Sequence, residues 1–258
     1  MEIDNKTILD PALLINRIKE MLPKNTPIAK PSLYSAVPGG KLYRGFIAYR
    51  MCLLHAVNHK NALSIASAIE ILHTFSLVHD DLPCMDNSLF RRGKVSCHKY
   101  FNNATALLTG VQLLITSLKT IGTISPELQK YTLCQVENLI SGQMLDLEHN
   151  NKSTIEHKLY ELKTGSLFII SCISGAVLAN NTQDIDYLYQ IGARIGIIFQ
   201  ILDDIIDQDI QDMEKAFIHS QKLLNEIKTL VAKCSHTPNF LQNFATKIFV
   251  KIKNYGIK

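Results

Sequence analysis

"LVHDDLPCMDNSLFRRGKVSCH", residues 77–98, sets Asp80, Asp81 and Asp86 within seven positions and follows them with Arg91 and Arg92. Carboxylates this close repel one another, and the repulsion destabilises a fold unless a cation sits among them. Apolar residues from Ala62 to Val78 recur at three- and four-residue spacing, so the cluster stands at the end of a helix. Pro83 cannot continue that helix, because its ring would clash with the carbonyl of His79. The helix is therefore predicted to end or bulge there. A loop beyond it can fold Asp86 back toward Asp80, which a straight helix would set on a different face.

A second acidic cluster lies in "FQILDDIIDQ", residues 199–208. On a helix Asp203 and Asp207 share a face, and Asp204 sits about 100° round the axis. Ile201, Leu202, Ile205 and Ile206 are expected to bury the other faces and fix the carboxylates. Oxygen ligands without His or Cys beside them suit Mg²⁺, which is held by a few carboxylates together with substrate phosphates. A lone Asp pair is an ordinary helix cap or solvated surface. Two pairs beside apolar helices, one trailed by Arg-Arg, point instead to a cation shared with an anion.

The rest of the chain reads as helices. Periodic runs cover Ile8 to Met21, Ile47 to Val57, Ala62 to Val78, and then 103–122, 127–149, 153–180, 184–207, 212–233 and 238–254. No sustained period-two alternation appears, there are only 12 glycines, and a sheet is hard to place. With no repeat and no linker, residues 1–258 are expected to form one all-α domain with buried central helices. Hydrophobic residues make up 47%, enough for a large core. The charge is +4 from 27 basic and 23 acidic residues, too balanced for a nucleic-acid coat. The six cysteines are scattered, without CxxC or zinc spacing, as expected of reduced thiols in the cytoplasm. The first ten residues lack the order of a signal peptide. Thr164 to Gln183 is uncharged and just long enough to span a bilayer, but its polar content favours a buried core helix. The expectation is a soluble protein with no stable membrane anchor.

At these motifs the chain resembles the trans-prenyl diphosphate synthases, most closely the bacterial short-chain farnesyl type. Asp80-Asp81-Leu82-Pro83-Cys84-Met85-Asp86 with Arg91-Arg92-Gly93 is similar to the family's first aspartate-rich motif, and Asp203-Asp204-Ile205-Ile206-Asp207 to its second. "GGKLYRG" (39–45), "ATALLTG" (104–110), "GQMLDL" (142–147), "KTGSL" (163–167) and "FQ" (199–200) follow the family's order, so the likeness runs from about Tyr34 to Asp207. It implies a helical bundle around a deep central cavity, with two to three Mg²⁺ ions bridging the acidic motifs to an allylic diphosphate. Asp80, Asp86 and Asp203 become metal ligands, supported by Asp81 and Asp207, with Asp204 close enough by its helical position to help or to hydrogen-bond a ligand water. Arg91, Lys163, Thr164 and Gln200 match positions around the allylic diphosphate. Lys41, Arg44, His73 and Arg92 match the isopentenyl diphosphate site. The expected partners are small diphosphates and a second copy of the chain in a homodimer.

An aromatic floor five residues before Asp80, here Phe75 beside the small Ser76, implies a C15 product. A bare reading makes Phe75 core packing. Glu70-x-x-His73 fits a di-iron ligand pair, but the chain has no second ExxH. After Asp207 relatives carry a mobile Gly/Lys loop; here no glycine falls between Gly196 and Gly256, which implies a domain shortened at this place. Leu42 and Gly45 stand where bacterial relatives often have Arg and Pro, and Asn87 and Ser88 where they often have acids. The missing lid leaves a non-catalytic or regulatory subunit as the rival reading. A synthase making geranyl or geranylgeranyl diphosphate is another. A class I terpene cyclase shares the fold but usually lacks both a second DDxxD and the isopentenyl site.

Overall fold

The computed structural model describes residues 9–148, 157–210 and 212–256. The acidic start at 1–8, the helix expected across 149 and 153–156, and Gln211 lie outside them.

Helix ends follow their local chemistry. Asp10 accepts the N–H of Ala12 at 2.8 Å and Pro11 opens α1 (Pro11–Met21). Asn58 caps α4 (His59–Asp80), and Asn102 caps α6 (Asn103–Ile124), each through its side-chain oxygen. Between them lie α2 (Ala29–Ala36), α3 (Tyr43–Leu54) and the single turn α5 (Cys97–Tyr100). The second half holds α7 (Pro126–Glu148), α8 (His157–Tyr160), α9 (Ser166–Leu178), α10 (Thr182–Ile206), α11 (Met213–Val231) and α12 (Asn239–Gly256). A short π-helical turn, Glu161–Gly165, joins α8 to α9.

The uncharged run that could have spanned a bilayer is the centre of the fold. In α9 every residue from Ser166 to Val177 is buried. The hydroxyls of Ser166, Ser171 and Ser174 bond carbonyls one turn back in their own chain, so burial leaves them satisfied. α9 packs against both α3 and α10. Gly175 makes the first approach possible: a Cβ there would lie 2.0 Å from the carbonyl oxygen of Met51.

One expectation is corrected. A two-stranded antiparallel ribbon exists, β1 (Phe90–Arg91) with β2 (Lys94–Val95), pairing Arg91 with Lys94. Its strands are too short to show period-two alternation. The turn between them, Arg92-Gly93, has both residues at positive φ (53° and 73°), as a tight hairpin demands.

Among the described residues three helical stretches are long and apolar enough to cross a membrane by length and composition: 59–80, 157–178 and 103–124. The first two are mostly buried within the fold, whereas the apolar window of α6 is only 28% buried. Its outer face, with Leu107, Leu108, Val111 and Ile115, is exposed.

Candidate active site

α4 ends at Asp80, and Asp81 is its cap. Beyond Pro83 the chain turns back, and the N–H of Asp86 donates to the carbonyl of Asp80 at 2.9 Å. The sequence placed this fold-back; the three carboxylates nevertheless part company. Asp80 lines a cavity of about 410 Å³. Asp86 is exposed near Asp80 but does not line the cavity. Asp81 is buried and points to the ribbon, where its Oδ1 accepts Arg91 Nε at 2.9 Å and Nη2 at 2.6 Å.

α10 repeats the division. Asp203 lines the same cavity, with Lys41 and Arg44 as its nearest cations. Asp204 turns aside: Gln200 Nε2 donates to it at 2.7 Å, Tyr160 donates its hydroxyl, and Thr164 in turn donates to Gln200 at 2.5 Å. Asp207 is the exposed C-cap of α10, outside the cavity.

Five cations line this space: Lys41, Arg44, Arg91, Arg92 and Lys163. Lys41 and Arg44 flank Leu42, which adopts a left-handed φ of 55° at the start of α3, a rare conformation for a bulky residue. Arg44 is half-buried, lies 4.4 Å over the Phe168 ring and places Nη1 3.4 Å from His73 Nε2. Burial lowers its pKa to about 10, which leaves it charged at neutral pH. Its Nε and the Nε2 of Gln143 are buried donors without a partner, both in residues bordering the cavity. Such orphan donors are costly unless an acceptor arrives.

Lys163 and Thr164 sit on the π-helical turn, a distortion common at functional sites. Two glycines let neighbouring helices press on it. A Cβ on Gly142 would lie 2.5 Å from the Lys163 nitrogen, and one on Gly196 2.4 Å from Gly165 Cα. The Lys163 ammonium is ion-paired with Asp146 of α7. His73 and Ser76 also line the cavity; Phe75 does not, being buried with its ring edge-on to His79 at 5.1 Å.

Sequence reasoning missed several supports. Glu70, weighed as an iron ligand, accepts the N–H of Gly45 at 2.7 Å and lies within electrostatic reach of Arg44 and Arg92. Gln143 and Asp146 were present inside "GQMLDL" without a role, and nothing local to Tyr160 signals its bond to Asp204.

Burial, then the surrounding carboxylates, push Asp80 and Asp203 each up to about 6, against the pull of Lys163 on one and of Lys41 and Arg44 on the other. Neither has a hydrogen-bond or ion-pair partner among the described residues. Both carboxylates offer oxygen donors that no side chain has taken, a donor set that fits a hard divalent ion.

The pH consequence has a definite sign. A carboxylate whose pKa rises on folding holds its proton more tightly in the fold. The associated stability is present below about pH 4 and is lost as the pH climbs through about 6. Asp80→Asn and Asp203→Asn remove that loss. Metal-free variants should therefore exceed the wild type near pH 7.5 by about 1–2 kcal/mol each, after solvent screening, and show no advantage near pH 4. Thermal melts at the two pH values, with and without Mg²⁺ and pyrophosphate, check this.

Residues 25–233 match the Polyprenyl synthetase family. Farnesyl diphosphate synthase of Bacillus subtilis is 36% identical over 219 residues, 79% of this chain and 73% of that one. The Micrococcus luteus farnesyl diphosphate synthase is 34% identical over 75% of this chain and 72% of its own length. Among solved structures, an FPP/GFPP synthase from Zymomonas mobilis superposes with a TM-score of 0.81 at 29% identity, covering 92% of this chain and 94% of that one. A geranyltranstransferase from Thermotoga maritima gives 0.78 at 28%, covering 91% and 96%. Matched across most of its length in sequence and in fold, the chain belongs to the polyprenyl synthetase family.

Proposed function

We propose that this chain is a Mg²⁺-dependent prenyltransferase that joins isopentenyl diphosphate to dimethylallyl and then geranyl diphosphate, giving farnesyl diphosphate. One observation carries the reading: α4 and α10 bring two half-buried carboxylates without side-chain partners, Asp80 and Asp203, to one cavity that also holds five cations. A regulatory subunit has no need of that arrangement.

Asp80 and Asp203 would hold the metal, two to three ions in all, with Asp86 beside Asp80 at the exposed edge and Asp81, Asp204 and Asp207 in support. When bound, Mg²⁺ neutralises charge on the departing diphosphate oxygens. Arg91, Lys163, Thr164 and Gln200 orient the allylic diphosphate, while Lys41, Arg44, Arg92 and His73 hold the isopentenyl diphosphate. As the allylic C–O bond breaks, the pair leaves with the diphosphate and the isopentenyl double bond attacks the carbocation. Loss of a proton to the released pyrophosphate completes the product. The chain's part is positioning and charge compensation. Asp80→Ala or Asp203→Ala should lower turnover by orders of magnitude, on the order of 10³-fold, with helical circular dichroism unchanged. Near-normal product formation from labelled substrates in either variant overturns the reading.

Phe75 does not itself line the cavity, so the proposed limit on product length has it backing the wall beside Ser76. It lies about 7 Å along α4 from Asp80, a depth comparable to one five-carbon unit. Ser76, which does line the cavity, is too small to stop the chain alone. Phe75→Ala is expected to extend the product to C20 or beyond. A variant that stays active and stops at C15, while losing about 3–5 kcal/mol of stability, would mark Phe75 as core packing only.

We read the enzyme as a cytoplasmic homodimer of single-domain subunits, shortened after Asp207. The support is a continuous apolar face: Leu107, Leu108, Val111 and Ile115 on α6 lie beside exposed Leu133, Ile140 and Met144 on neighbouring α7. Leu108→Glu with Ile115→Glu should convert a sedimenting dimer to monomer. A wild type that sediments as monomer and floats with lipid vesicles would give the face to a membrane instead.

A further inference from the structure

Far from the cavity, three chain segments meet at His55, Asp184 and His236. His55 follows α3, Asp184 lies in the first turn of α10, and His236 belongs to the link between α11 and α12. One potential ligand atom of each lies within 4.8 Å of the other two. His55 Nε2 is 4.0 Å from Asp184 Oδ2, and His236 Nδ1 is 3.9 Å from the same oxygen.

The His55 side chain is only 1% exposed. Its Nδ1 stands 3.1 Å from the carbonyl of Met51, which can only accept, so Nδ1 carries the proton. Nε2 is left as a buried lone pair without a hydrogen-bond partner, beside a carboxylate. Two acceptors facing each other in the interior are unfavourable, and a cation between them satisfies both. The carboxylate is already fixed: Ser235 donates its N–H at 2.9 Å and its hydroxyl at 2.6 Å, and Asn181 Nδ2 donates at 3.1 Å. The His236 ring is half-exposed, 4.8 Å from that of His55, and its Nδ1 meets Ser235 Oγ at 2.8 Å. Ser235 has one hydroxyl proton and gives it to Asp184, so His236 Nδ1 donates to Ser235 Oγ, and taking a cation requires this exposed ring to turn or to move its proton to Nε2.

We propose that His55, Asp184 and His236 form a second metal site, for a borderline divalent ion of the Zn²⁺ type, that pins these three segments together. Two imidazoles and one carboxylate suit such an ion rather than Mg²⁺. Ligand atoms in a tetrahedral zinc site lie about 3.3 Å apart, so the two separations to Asp184 need close by only ~0.6 Å. Water takes the remaining position. Asp184 precedes Asp203 by nineteen residues on one helix, about 29 Å at helical rise, so the ion has no part in the chemistry. It anchors the far ends of α3 and α10, whose other ends carry Arg44 and Asp203.

The test uses the full chain stripped with EDTA and titrated with Zn²⁺ by calorimetry in excess Mg²⁺, followed by Co²⁺ absorption. The expected result is one equivalent of Zn²⁺, a tetrahedral Co²⁺ spectrum, and a Zn²⁺-dependent rise in melting temperature. His236→Ala, a half-exposed loop change that leaves the fold intact, should weaken binding by at least about tenfold and abolish the melting shift. His55→Gln should do the same. Asp80→Asn and Asp203→Asn should leave both unchanged. No binding, or binding lost with Asp80 and Asp203 but kept in His236→Ala, overturns the proposal, whatever the enzyme's prenyl activity.

Discussion

Two carboxylates must line one cavity, half-buried and without a permanent partner, and much of the fold serves that constraint. Asp80 and Asp203 sit near the ends of the two long helices that border the core helix α9, where rigid apolar packing holds each against the repulsion of the acids in its own motif. A flexible loop would relax by turning such groups to water. The neighbouring acids are relieved of the same strain by local partners: Asp81 by Arg91, and Asp204 by Gln200 and Tyr160. The unpaired condition of the first two is thus a local exception, with the sign expected of a site that trades stability for function.

Close backbone approach is the second requirement. α9 can lie against α3 only because position 175 has no Cβ, and the π-helical turn can project Lys163 and Thr164 only because Gly142 and Gly196 admit it. The distortion and the glycines form one device. The turn moves two polar side chains out of helical register, and the missing side chains let α7 and α10 close over its backbone. The cations of the cavity come from three separate segments, at 41–44, 91–92 and 163, while Asp80 and Asp203 come from helix ends.

Most of this was legible where a residue's chemistry acts locally. Pro83 ends a helix whatever surrounds it, and the fold-back of Asp86 followed. Three- and four-residue spacing marked the long helices, and the polar content of the uncharged run foretold a core helix whose serines bond their own backbone. What escaped depends on tertiary partners. The pairing of Asp81 with Arg91 needs the ribbon, whose two-residue strands leave no periodic trace. Asp203 and Asp207 share a helical face by spacing, yet the helix ends at Ile206 and Asp207 becomes an exposed cap. Glu70 invited a metal reading because its ligand, a backbone N–H across a helix interface, is invisible in sequence.

The short link from Asp207 to Asp212 raises the question of what responds when an anion enters. Two cavity cations are already committed: Arg91 to Asp81, and Lys163 to Asp146. They are not equally free to change partner. The Asp81 side chain is 3% exposed, and stripping its guanidinium would strand a buried charge, a loss of about 3–5 kcal/mol for such pairs. Asp146 is 20% exposed, so water can replace the Lys163 ammonium at far smaller cost. In the proposed reaction Arg91 therefore keeps Asp81 and reaches the diphosphate with its remaining donors, while Lys163 is the group that swings. The π-helical turn beneath Lys163, rather than a loop after Asp207, is then the part of the wall that answers substrate.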